Sequence, residues 1–155
     1  MKGQTPIKGP LMPQSILCVC LGNICRSPSA QGALERAMPG AVVDSAGTSN
    51  WHIGDAPYGP MQIAANARGL DLSTQRARQV ATDDFTRFDL ILAMDAQNLA
   101  DLEAQRPAHA TARLALFLEV LQDGPRDVPD PYYTRDFDGV LALIDRAARA
   151  WVAQL

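Results

Sequence analysis

The segment order predicts an α/β fold: a small, three-layer domain with a four-stranded parallel sheet covered by helices on both faces. Two observations carry this. Residues 15–21 and 88–94 are short, nearly continuous apolar runs, which suits strands buried on both faces. Each run leads directly into a segment with helical spacing, so strands alternate with helices as a parallel sheet requires. Ligands of such sheets bind beyond the carboxyl ends of the strands. The loop after the first strand, residues 21–26, is therefore the expected site.

After the first strand a helix begins at once. Ser27 is placed to cap it and Pro28 suits its first turn. Ala30, Ala33, Leu34, Ala37 and Met38 fall at helical spacing, and Pro39-Gly40 ends the helix. Residues 41–45 read as a second strand, followed by a Gly/Ser/Asn/Trp-rich loop through Pro60. Residues 61–68 look helical and stop at Gly69. The strand over 88–94 hands over to a helix capped by Asp95, which reaches Arg106 before Pro107. Residues 113–118 fit a strand or a helix. Phe137, Val140, Leu141, Ile144, Ala148, Trp151 and Leu155 mark one face of a long amphipathic helix, with Trp151 a core residue.

Composition narrows the function. A net charge of -3 argues against a generic nucleic-acid or membrane-surface binder, so any anion must be caught by local groups. The three cysteines, Cys18, Cys20 and Cys25, crowd into one segment. An odd, clustered set is a poor disulfide framework and points to a reducing cytosol. With His52 and His109 isolated, no zinc site is expected. No segment has the apolar length of a membrane span or a signal-peptide core. Residues 1–14, with three prolines and two glycines, read as a disordered leader, and residues 15–155 as one unit.

The chemistry is concentrated between Cys20 and Ser27: a cysteine, five residues, an arginine, a serine. A loop that ends at a helix N-terminus points successive backbone N–H groups into one concavity, a nest for an anion. Gly22 and Asn23 tolerate the left-handed backbone such a curl needs. Arg26 adds a planar fork for two phosphate oxygens. The same partial charges favour the thiolate form of Cys20, and Ser27 is placed to hydrogen-bond its sulfur. Expelling an alkoxide or phenolate calls for a general acid, and Asp130, held between Pro129 and Pro131, is the best candidate. Cys18, inside the strand, reads as core. Arg76, Arg78 and Arg87 read as solvated surface near the cleft.

With these residues in view, the chain resembles the low-molecular-weight protein tyrosine phosphatase family from Ser15 onward. Residues 19–28 (VCLGNICRSP) match the family's phosphate loop, and residues 44–49, 88–95 and 130–133 recur in family order. The resemblance implies the phosphotyrosine phosphatase I-like fold with flavodoxin-like strand order. It implies that Cys20 is the nucleophile, that Arg26 binds phosphate with the amides of Leu21, Gly22, Asn23, Ile24 and Cys25, and that Asp130 is acid and then base. Asn23, Ser27 and Ser45 match the family's loop-supporting network, and Gln75 stands where a histidine is usual. Trp51, Tyr132 and Tyr133 fall where aromatic rings line the pocket mouth and would sandwich a phenyl phosphate. Ile24 fits a phosphotyrosine enzyme, since relatives acting on phosphoarginine carry threonine there. Cys25 fits either a reversible disulfide partner for Cys20 or a small apolar filler.

The expected activity is hydrolysis of phosphotyrosine through a phosphocysteine, with no cofactor and no metal, by a cytoplasmic monomer whose partner is a phosphotyrosine-containing protein. Two rivals remain: an arsenate reductase of the same fold and a non-catalytic phosphotyrosine-binding module. Thioredoxin-dependent reductases use further cysteines downstream, and none follows Cys25 here. A pure binding module has no use for an acid such as Asp130.

Overall fold

β1 (Ser15–Cys20) buries five of its six residues, and it accordingly lies inside the sheet with a partner on each side. It pairs in parallel with β2 (Val42–Gly47) and β3 (Leu90–Ala93), and β3 pairs in parallel with β4 (Arg113–Leu116). The order β2-β1-β3-β4 is the expected flavodoxin-like one. The computed structural model describes residues 15–155; the expected leader over 1–14 lies outside the described residues. The helices are α1 (Arg26–Ala37), α2 (Gly59–Ala67), α3 (Asp84–Arg87), α4 (Ala96–Gln105), α5 (Pro131–Thr134) and α6 (Phe137–Gln154).

The pleat sends alternate strand residues to opposite faces. Ile16, Cys18, Leu90 and Leu92 join one apolar layer with Leu34 of α1, Met61 of α2, and Ile144 and Trp151 of α6. Leu17, Val19, Ile91 and Ala93 form the other layer with Phe85 of α3 and Leu102 of α4. A fully buried Leu or Ile contributes about 1.5–3 kcal/mol relative to an exposed one. That exceeds any single residue's helix propensity, so packing on the sheet dictates which helices persist. Trp151 is core as expected, and its indole N–H donates to the Phe117 carbonyl at 2.7 Å.

Several boundaries differ from the sequence reading. Ser27 does not cap α1: the N-cap is Cys25, which makes no side-chain capping bond, because the Ser27 hydroxyl is turned toward the Cys20 sulfur. β2 runs on to Gly47, which lies level with Cys20 across the sheet. Residues 113–118 split between a strand and a 3₁₀ turn at Phe117–Val120, so each of the two readings holds for a portion of the segment. The four-residue helices α3 and α5 are too short for a periodic signal, and both are additions to the expected elements. Asp95 caps α4 as expected, accepting the Asn98 N–H at 2.7 Å.

From β1 the chain passes through α1 to β2 on one side, then crosses back to β3 on the other. The C-terminal end of β1 is therefore the topological switch point of the sheet, and residues 21–25 open there. Gly47 flanks this loop. A β-carbon on Gly47 would meet the Leu21 carbonyl oxygen at 2.7 Å and the Gly22 carbonyl carbon at 3.2 Å, both unyielding backbone atoms. Gly47→Ala is expected to destabilise the fold by about 1–3 kcal/mol, read as a lowered urea midpoint.

Candidate active site

Cys20 ends β1 with 3% of its surface exposed, and the chain curls back over its sulfur. The curl turns at Asn23, whose φ is 58°. Of the two residues expected to take this left-handed conformation, only Asn23 does; Gly22 is not among the positive-φ positions. The small size of Gly22 serves another purpose, since a β-carbon there would come within 3.0 Å of the His52 ring.

The polar groups of Asn23 hold the loop closed. Its backbone N–H donates to the Cys20 sulfur at 3.2 Å. Its Nδ2 donates to the hydroxyls of Ser27 at 2.8 Å and Ser45 at 3.0 Å. Its Oδ1 accepts the Arg78 backbone N–H at 3.0 Å. The Ser27 hydroxyl lies 3.0 Å from the sulfur. Because that hydroxyl already accepts from Asn23, its own proton is available to the sulfur. The Ser45 hydroxyl has one proton, and the Gln31 Oε1 at 2.8 Å is a much better acceptor for it than the Gln75 Oε1 at 3.5 Å. Gln75 instead donates to the Pro28 carbonyl in the first turn of α1, at 3.0 Å.

Arg26 opens α1 and is only 4% exposed. Its Nη1 donates to Asp95 Oδ2 at 2.7 Å and to the Val128 carbonyl at 3.0 Å, while Nη2 lies 3.6 Å from Asp130 Oδ2. Burial works against its charge, but the charge of Cys20, the Asp95 hydrogen bond and Asp130 outweigh it and raise its pKa above the ordinary value. Asp130 is the N-cap of α5 and accepts the Tyr132 N–H at 3.0 Å. The turn-forming and ion-pairing roles of this aspartate therefore coexist. Burial, then the charge of Cys20, pushes the Cys25 thiol up to about 12, and burial also raises Cys18, which is fully enclosed in the core. All three cysteines are free.

Cys20, the loop from Leu21 through Arg26 except Asn23, Trp51, Asp130, Tyr132 and Tyr133 surround a cavity of about 210 Å³. Asn23 is packed behind it, only 2% exposed. Trp51 and Tyr133 are 67% and 73% exposed, so their rings form a rim and not a floor.

A sequence model of the low molecular weight phosphotyrosine protein phosphatase family matches residues 15–155. The chain belongs to this family. It is 38% identical to the low molecular weight protein-tyrosine-phosphatase YfkJ of Bacillus subtilis, over 91% of this chain and 95% of the relative. The crystal structure of YfkJ matches with a TM-score of 0.84 at 37% identity, covering 90% of this chain and 92% of that one. Vibrio vulnificus Wzb, solved with benzylphosphonate, matches with a TM-score of 0.84 at 31% identity, covering 92% and 99%. The fold is thus common to the chain and these relatives.

Three residues of the site go beyond the sequence reading. Asp95 is more than the expected helix cap: one carboxylate oxygen caps α4 while the other pairs with Arg26. Its signal is the capping position itself, at the carboxyl end of the strand beside β1. His52, isolated in the sequence, lines the cavity, and its Nδ1 lies 3.2 Å from Asp55. Arg78, expected as solvated surface, is a part-exposed strut. Its guanidinium grips both oxygens of the buried Asp84 at 2.9 and 3.1 Å, and its Nε donates to Asp44. Arg87 also lies 3.7 Å from Asp84. Arg76 is exposed and donates to the carbonyls of Ser73 and Gln75.

Asp95→Ala removes a cap and strips a buried guanidinium of its partner, so a stability loss of about 3 kcal/mol or more is expected from urea denaturation. Asp95→Asn, which keeps the capping acceptor, should recover about 1 kcal/mol of it. Cys25 titrates far above its ordinary 9.0, so its protonated form is preferred by the fold. The stability it contributes is complete below pH 9.0 and is lost as pH rises toward about 12. Brief iodoacetamide treatment at neutral pH is expected to leave Cys18 and Cys25 unlabelled in peptide mass maps.

Proposed function

We propose that residues 15–155 act as one catalytic unit that hydrolyses phosphotyrosine in proteins, and small aryl phosphates, through a phosphocysteine on Cys20. The observation that carries this is the sulfur of Cys20 held by the Asn23 N–H and the Ser27 hydroxyl, in a cavity also lined by Arg26 and Asp130. Donors that stabilise a sulfur anion also stabilise it as a leaving group. A purely structural cysteine needs neither an ion-paired arginine nor a carboxylate beside it.

In the first step the Cys20 thiolate attacks phosphorus as the P–O bond to tyrosine breaks, and Asp130 passes its proton to the departing phenolate oxygen. In the second, Asp130 takes a proton from water, which attacks phosphorus and breaks the S–P bond. Phosphate leaves and the thiolate is restored. The amides of Leu21, Gly22, Ile24, Cys25 and Arg26, with the Arg26 fork, hold the equatorial oxygens, where electrostatics dominates in a loose transition state; the Asn23 N–H, expected among them, is directed at the Cys20 sulfur instead. Asn23, Ser27, Ser45 and Gln75 keep the loop in shape. Trp51, Tyr132 and Tyr133 flank the phenyl ring and select for its length. Benzylphosphonate, the ligand of the Wzb structure, has this pairing of an aromatic ring with a phosphonate, which supports the assignment. Cys25, whose burial holds its thiol protonated, is proposed as a small apolar filler beneath the loop, with a disulfide to Cys20 open to it only after a peroxide has oxidised Cys20 to the sulfenic acid, water leaving as the S–S bond forms. The setting proposed is a cytoplasmic monomer acting on phosphotyrosine proteins. Among the described residues no helix is long and apolar enough to cross a membrane.

Cys20→Ser is expected to abolish turnover of p-nitrophenyl phosphate in EDTA, and the native chain to release phosphate from phosphotyrosine peptides but not from phosphoserine or phosphoarginine peptides. Undiminished turnover by the variant refutes the covalent route. Arsenate reduction with thioredoxin is expected to be absent, because no resolving cysteine follows Cys25.

A further inference from the structure

Among the described residues, two that are not glycine adopt a left-handed backbone: Asn23 in the phosphate loop and Arg135 just beyond the acid. Arg135 (φ 65°, ψ 13°) is the C-cap of α5, the helix whose N-cap is Asp130. A β-carbon is disfavoured there, and arginine lacks the short polar side chain that eases the conformation for Asn or Asp. Such a conformation persists only where the surroundings over-determine it, and those places concentrate at functional sites.

The surroundings of Arg135 do so. Its backbone N–H donates to the Pro131 carbonyl at 2.8 Å and closes α5. Its Nη1 donates to the Tyr58 hydroxyl at 3.1 Å and to the Tyr132 carbonyl at 3.3 Å. The guanidinium lies over the rings of Tyr58, at 5.5 Å, and Phe137, at 5.1 Å, a favourable cation–π arrangement. Tyr58 in turn donates its backbone N–H to the Ile24 carbonyl at 2.8 Å, inside the phosphate loop, and its ring meets that of Tyr132 at 5.2 Å. A continuous bridge thus runs from the phosphate loop through Tyr58 and Arg135 to the loop that carries Asp130.

A second link between the two loops runs through Arg26, to the Val128 carbonyl and Asp130. Arg26 is also the group an incoming phosphate recruits, so its hold on Asp130 weakens when substrate binds. The Tyr58–Arg135 bridge involves no group that meets the phosphate and is unaffected by that exchange.

We propose that Arg135 is a positioning residue for the general acid, its bracket to Tyr58 keeping Asp130 in place at the cavity wall when Arg26 turns to the phosphate. The inference rests on the reading of Asp130 as the acid. Arg135 touches no reacting atom and acts through the position of α5.

The test is the dependence of kcat/KM on leaving group in Arg135→Gly, since glycine keeps the left-handed backbone without strain and removes the guanidinium. A displaced acid hurts poor leaving groups most. The loss expected is about tenfold for phenyl phosphate and phosphotyrosine, against less than about twofold for p-nitrophenyl phosphate. Tyr58→Phe, which loses the acceptor and keeps the ring, should shift the dependence the same way by a smaller factor, and Arg135→Lys should restore some of it. An equal loss for every substrate, or no loss, overturns the proposal whatever the change in Tm. Asp130→Asn run in parallel separates the two readings. Leaving-group dependence in that variant but not in Arg135→Gly sinks the role of Arg135 alone; its absence from both sinks the acid assignment.

Discussion

Asn23 turns left-handed at φ 58°, and each of its polar groups secures a different region of the site. The backbone N–H reaches the Cys20 sulfur, Nδ2 reaches Ser27 and Ser45, and Oδ1 takes an N–H from Arg78. These bonds tie the phosphate loop to α1, to β2 and to the segment after α2. The turn that makes the concavity is thereby fastened from several directions. An asparagine suits the place on both counts, because its short amide eases the left-handed backbone and can donate and accept at once. Ser45 and the Arg78 backbone hold this residue directly, and Gln31 fixes the hydroxyl of Ser45.

The second organising feature is local charge in a chain whose net charge is negative. Arg26 sits between Asp95 and Asp130, with Cys20 beside it, and is 4% exposed. A buried guanidinium is costly unless paired, and here the partners also aim it. Asp95 fixes one nitrogen, leaving the other side of the fork toward Asp130 and the cavity. In the strut between Arg78 and Asp84 the burial is reversed: the carboxylate is the enclosed charge and the part-exposed guanidinium its partner. This pairing explains how a basic residue near the cleft can be structural and not a docking group for substrate.

Much of this was legible along the chain because the loop is local. Cys20, Asn23, Arg26 and Ser27 fall within eight residues, and a strand-loop-helix places them together with no help from distant segments. Asp130 is legible only through the chemistry of a leaving group and through family resemblance, since a proline-flanked aspartate is on its own an ordinary turn former. Asp95, His52 and Arg78 are hard to read for one reason. Each has an ordinary local role, as a cap, a loop residue or a surface base, and what ties it to the site is distant in sequence: Arg26 for Asp95, the cavity beside Cys20 for His52, and Asn23 and Asp44 for Arg78. Ser27 errs the other way: its local propensity to cap a helix loses to a bond with a sulfur seven residues earlier.

From the residues alone came the alternation of strands and helices and the loop at the switch point, because hydrophobic period and loop composition are short-range properties. The folded structure alone decided which charge faces Arg26, which amide receives the proton of Ser45, and what holds α5 in place. Those are contacts between elements separated by tens of residues, and only the packing of helices against both faces of the sheet brings their atoms within hydrogen-bonding distance.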